Sequence, residues 1–250
     1  MTTTTVHAPA TPMRRILNIV RLHLANPWTT IILPWVILGI IFAGTLAVWA
    51  LILSVASDTA DARDGLQYSG SNFFIFVYML VVAVQAISIT FPFALGFGVT
   101  RRDFYLGSAL TFVLLSAAYS VALTILSLIE EATNGWGIGA QMFTTFYFGE
   151  TPAERLLVFF LAFLFFFFVG AAAASVWVRW KATGLVMFFI IIGLGLIGLV
   201  ALIFFAQGWP AVGEFFATAG LVGSMLWSLV ITAIAGVTGF FLMRRATPTA

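Results

Sequence analysis

The chain has 250 residues, of which 62% are apolar and only 8% charged, and its mean hydropathy is +1.12. A soluble domain carries about 45–50% apolar and about 25% charged residues, so a water-soluble globular fold is excluded and lipid must be the main solvent. The absence of cysteine excludes disulfides, thiolate metal sites and cysteine nucleophiles.

Residues 1–11 are Thr/Ala/Pro-rich and read as a disordered tail rather than a signal peptide, because the arginines follow them and no cleavage site ends a short apolar core. Residues 12–27 read as an amphipathic interface helix, with Thr11 as N-cap and Pro12 at the first helical position. Met13, Ile16, Leu17, Val20 and Leu24 share one arc; Arg14, Asn18 and Arg21 lie on the flank and far side, and Arg15 further round. Leu22 interrupts the pattern, and Pro27 stops or bends the helix. Such a helix suits anionic membrane lipid, or a lever that touches a cytoplasmic partner.

Six apolar stretches follow, near 30–55, 72–95, 105–129, 155–177, 183–206 and 218–242. Each is long enough for a hydrocarbon core of about 30 Å, which takes roughly 20 helical residues. The expected fold is all-α: a polytopic membrane protein of six transmembrane helices within 28–245, ending in a tail at 246–250. Arg14, Arg15, Arg21, Arg101, Arg102, Arg179, Lys181, Arg244 and Arg245 fall on one side of that arrangement, and only Arg63 and Arg155 on the other. The positive-inside rule then puts both termini in the cytoplasm. The external segments are an acidic loop at 56–71, an aromatic and glycine-rich one at 130–154, and a short one from Gln207 to Ala217.

The motif inventory is mostly negative. Lys181, the only Lys, follows Trp180, so no Gly-Lys-Ser/Thr phosphate loop is present. His7 and His23 both precede the first span, which excludes a histidine-based metal or catalytic site within the membrane. Glu130 and Glu131 read as loop acids. Gly193-Leu-Gly-Leu-Ile-Gly198 matches a dinucleotide fingerprint, but it lies inside an apolar run without the strand that the fingerprint needs. It reads instead as a small-residue packing face, as does Gly170-Ala-Ala-Ala-Ala-Ser175. Gln85, with Ser88 and Ser120, is the candidate polar lining of a translocation path. Hydroxyls can satisfy themselves on their own helix, however.

Between the second and third stretches the chain reads Phe93-Ala-Leu-Gly-Phe-Gly-Val-Thr-Arg-Arg-Asp-Phe-Tyr-Leu-Gly107. Gly96 and Gly98 loosen one helix, Thr100 caps the next, Asp103 sits near a capping-box position, and Arg101 and Arg102 face the cytoplasm. This segment resembles the corresponding cytoplasmic turn of ABC-2-type transporter permeases. The plan of an amphipathic helix and six spans with both ends inside is similar too. The resemblance implies the non-catalytic membrane subunit of an exporter in a bacterial inner membrane, paired with a second copy or a related permease. It also implies separate cytoplasmic ATPase subunits that bind the ATP and Mg2+, with no cofactor on this chain and no nucleic-acid partner. It assigns coupling to the ATPase to Gly98, Val99, Thr100, Arg101, Arg102, Asp103 and Phe104, and the interface helix to Arg14, Arg15 and Arg21. Some family members fold short re-entrant helices before the last span, and Gln207 to Ala217 is too short to display them. An autonomous carrier or channel, or a membrane anchor or sensor, is the alternative.

Overall fold

A computed structural model of the chain describes residues 11–56, 59–66, 68 and 70–246. Apart from Thr11 and Ala246, the two expected tails lie outside the described residues. Within these, regular structure is entirely helical. The main elements are α1 (Pro12–Leu24), α2 (Leu33–Val55), α3 (Thr59–Leu66), α4 (Phe73–Ser88), α5 (Thr90–Gly96), α6 (Arg101–Ala132), α7 (Pro152–Phe205) and α8 (Trp209–Arg244). A π-helical turn at Trp28–Ile32 leads into α2.

Among the described residues five helical segments are long and apolar enough to cross a membrane: Trp28–Val55, Phe73–Gly96, Arg101–Ala132, Pro152–Phe205 and Trp209–Arg244. Six separate stretches were the expectation. The count differs because 155–177 and 183–206 both fall in α7, which is interrupted only at Lys181 (φ 55°, ψ −148°). The chain turns sharply there. Eight residues of straight helix span about 12 Å, yet a Cβ built on Gly184 would lie 3.5 Å from Val176 Cγ1 and would overlap the Cβ of Trp180. Gly220 (φ 65°) does the same in α8. Phe215 and Trp227 would be about 18 Å apart along a straight helix, but their rings are 6.0 Å apart.

That reversal corrects the sequence reading of Gln207 to Ala217 as a short loop. The chain is helical from Trp209, where Pro210 suits a first turn that needs no amide donor. A short helix therefore folds back on the last long one. The acidic segment 56–71 likewise contains α3.

The core lies between α4, α6 and α7, and its filling is phenylalanine. Phe76 meets Phe163 at 4.7 Å, and Phe112 stacks on Phe167 at 5.0 Å. Gly170 makes the α4–α7 approach possible, since a Cβ there would sit 2.5 Å from the Leu80 carbonyl oxygen. Ala171, Ala174 and Ser175 are buried beside it, as a packing face requires. Gly193, Gly195 and Gly198 behave differently. A Cβ on any of them would meet nothing within 4 Å, so they pack against no other part of the described chain.

Helix α2 is attached mainly by aromatic contacts. Trp35 stacks on Tyr119 at 5.4 Å, and Phe42 meets Trp136 edge-on at 4.7 Å. The π-helical turn is anchored by two tyrosines: Tyr78 donates to the Thr29 carbonyl (2.9 Å) and Tyr119 to the Thr30 carbonyl (2.8 Å).

At one end of the bundle the segment 130–154 is organised by a buried carboxylate. Glu130 accepts from the Trp136 indole (2.7 Å), from the backbone amides of Met142, Phe143 and Thr144, and from the Thr144 hydroxyl. Arg155 is also buried. It pairs with Glu131 (2.5 Å) and donates to the carbonyls of Gly149 (3.0 Å) and Glu150 (2.9 Å). A capping box of Thr151 and Glu154, with Pro152 at the first position, then starts α7.

Candidate functional site: the basic turn and the amphipathic helix

The opposite end of the bundle gathers three parts of the chain that are far apart in sequence: α1, the turn from α5 into α6, and the end of α8. The turn is built by two complementary caps. Helix α5 ends in a Schellman motif with Gly98 at φ +77°. The Val99 amide donates to the Ala94 carbonyl (3.2 Å) and the Gly98 amide to the Leu95 carbonyl (2.9 Å). Space around Gly98 is open, so glycine is needed there for backbone conformation alone. Thr100 then caps α6 by accepting from the Asp103 amide at 3.1 Å. The sequence Gly-Val-Thr is thus helix stop, apolar lock and helix start in succession. Val99 supplies the lock by packing on the core.

The seven residues assigned to coupling lie together on this turn but face different ways. Asp103 is buried and turns to Arg15 of α1, 3.4 Å from its Nε, instead of completing a capping box. Phe104 is fully buried between Phe91 (5.2 Å) and His23 (5.7 Å, edge-on). Arg101 donates to the Arg244 carbonyl at 3.3 Å, which ties the turn to the end of α8. Gly98, Thr100 and Arg102 are exposed. Phe97, which the sequence reading left out, is 73% exposed at the tip. Only part of the motif is therefore a surface, and the rest fastens that surface to the bundle.

Helix α1 is held by Gly107. A Cβ on this residue would sit 2.5 Å from Ile19 Cβ and 3.0 Å from the Ile16 carbonyl oxygen, so the two helices meet with almost no side chain between them. His23 donates to or accepts from the Ser108 hydroxyl at 2.8 Å. Burial lowers its pKa from 6.5 to about 4, so the docked ring is neutral near pH 7. The single apolar arc expected for this helix is divided. Ile19 and Val20 are buried, whereas Met13, Leu17 and Leu24 form an exposed apolar strip. Arg14 and Arg21 are exposed beside that strip. The helix ends at Leu24 rather than at 27, and Thr11 stands at the N-cap position without a side-chain bond. Leu22, the apparent irregularity, packs against the core.

The three candidate path residues are not equivalent. Ser88 donates to the Val84 carbonyl (2.6 Å) and Ser120 to the Ala117 carbonyl (2.9 Å), so both hydroxyls are satisfied on their own helices. Gln85 is exposed on α4 and lines a cavity of about 310 Å³ between α1, the π-helical turn, α4 and α6.

Gly107, His23, Glu130 and Arg155 were not singled out for a role from the sequence. For His23 a signal existed: it is four residues beyond Ile19 and seven beyond Ile16, on the face that meets α6. For Glu130 none did, since its partners lie in an irregular segment. No family model, curated protein or solved structure matches the chain.

Proposed function

We propose that the chain is the transmembrane permease subunit of an ATP-binding-cassette exporter. Two copies, or one copy and a related permease, would form the substrate path in a bacterial inner membrane. Separate cytoplasmic ATPase subunits would bind the ATP and Mg2+ and drive it. The observation that carries this reading is the turn from Phe97 to Arg102. It is closed by a Schellman motif and an N-cap, it exposes Phe97, Thr100 and Arg102, and it is fastened to α1 through Asp103 and to α8 through Arg101. A rigid exposed tip joined to two other helices is suited to receive a push from below and pass it on.

The helical plan supports the same reading. Counted on either side of Lys181, residues 152–180 and 182–205 run about 43 and 36 Å at 1.5 Å per residue, each enough for one crossing. On this proposal they are two crossings, six in all, with the turn, α1 and the end of α8 on the basic side that the positive-inside rule assigns to the cytoplasm. The short helix that folds back at Gly220 adds a re-entrant element before the last span.

The test is assembly. Coexpressed with the cassette ATPase subunit that this reading requires, the chain should copurify with that protein in detergent. In proteoliposomes it should support transport that needs ATP. Purification without any such partner, together with flux driven by an ion gradient alone, would overturn the proposal.

A further inference from the structure

The cavity at Gln85 is lined by several polar side chains. Thr30 is nine-tenths buried on its wall. Gln85, Asn26, Thr29 and Thr90 also line it, the first three of them exposed. Polar groups gathered on one wall of a cavity in a mostly apolar chain can bond a polar group that enters it.

The backbone adds to this. Pro92 has no N–H and cannot bond the Ser88 carbonyl, which explains why the helix breaks at Ile89 between α4 and α5. Broken helix at membrane depth is tolerated where it lines a cavity. Thr111 lies ten residues into α6, about 15 Å from its start. The cavity is therefore near the level where head groups give way to acyl chains. Val82, Phe112 and Leu115 supply an apolar wall, and no carboxylate, guanidinium or ammonium lines the cavity. His23, on the same wall, is neutral when docked. At about 310 Å³ the space is at the lower end of ligand-sized cavities, which run about 300–1,000 Å³.

We infer that this cavity is a binding site for an uncharged amphiphile. A hydroxyl-bearing head group of the monoacylglycerol type would bond to Gln85, Thr30 and Thr90, and its chain would leave along the apolar wall. A charged head group finds no counter-ion there. A head group without a chain leaves the apolar wall unfilled. The inference does not depend on the transport reading, because it concerns occupancy of this chain alone.

The experiment is photolabelling of the purified full chain in nanodiscs with a diazirine-bearing monoacylglycerol. Label should map to 22–30 and 82–90. Unlabelled monoolein should compete it away, and oleate and free glycerol should not. Gln85 is exposed, so Gln85→Leu should fold normally and lower labelling about tenfold, with Thr30→Val acting in the same direction. Three results would overturn the inference: equal labelling in Gln85→Leu, competition by oleate or glycerol as strong as by monoolein, or label spread equally over 182–205.

Discussion

Gly107 of α6 and Ile19 of α1 are so close that the smallest side chain on the glycine would strike the isoleucine Cβ at 2.5 Å. The approach is what lets His23 reach Ser108 and Arg15 reach Asp103 from the same helix. Because the neighbouring Ile16 carbonyl is rigid backbone, a larger residue at 107 cannot be absorbed by a rotamer change.

Gly107→Ala is therefore expected to push α1 off α6 at a cost of about 1–3 kcal/mol. Trypsin cleavage after Arg14, Arg15 and Arg21 measures this, and it should speed up relative to wild type. Gly98→Ala is the contrasting case. It has open space, and its cost of about 1–2 kcal/mol comes from the left-handed backbone alone.

Docking of α1 should depend on pH through His23. Undocked, the imidazole takes a proton near 6.5; docked, burial lowers that to about 4. The undocked state thus binds more protons between those values, and docking is complete above about 6.5 and weakens as pH falls toward about 4. The chain has no cysteine, so Leu17→Cys carries a unique spin label on the exposed strip of α1. Its mobility should rise over that interval, and His23→Gln should abolish the rise. The Arg15–Asp103 pair, half exposed on its Arg side, is worth at most about 1 kcal/mol and cannot hold the helix by itself.

Glu130→Ala should cost about 3 kcal/mol or more, because it strands several buried donors at once. Thermal unfolding in detergent measures the loss. Glu130→Gln keeps the volume but turns an amide NH2 toward N–H donors, so it should fall between wild type and alanine. Arg155→Met strands the Gly149 carbonyl and should act in the same direction, with a smaller effect.

Arg102→Glu separates surface from scaffold. Arg102 is exposed and makes no bond within the described residues, so the variant should unfold at the wild-type temperature. On the proposed function it should weaken ATPase assembly about tenfold or more, measured by titration of the partner. Asp103→Ala should behave the other way round and first loosen α1.

The apolar helices were legible because lipid demands long apolar runs, and such runs carry their length openly. Their connections were less so. Lys181 takes a positive φ that glycine usually supplies, so nothing in Trp-Lys-Ala signalled that one helix would reverse with no loop. At Gly220 the residue type was informative, but glycines are frequent in membrane helices and one more does not stand out. Thr100 as a cap was readable because its partner is three residues away. The inward turn of Asp103 was not, since Arg15 is remote in sequence. The two small-residue runs looked alike, and only tertiary structure separates the buried one at Gly170 from the uncovered one at Gly193.

The Glu130 carboxylate has a consequence for motion. The amides of Met142, Phe143 and Thr144 and the indole of Trp136 all end on one anion, so none of them can leave it without loosening the hold on the rest. The segment should open as one cooperative unit instead of fraying from its ends. In deuterated water those three amides should then exchange with a single shared protection factor, set by the one event that frees the carboxylate.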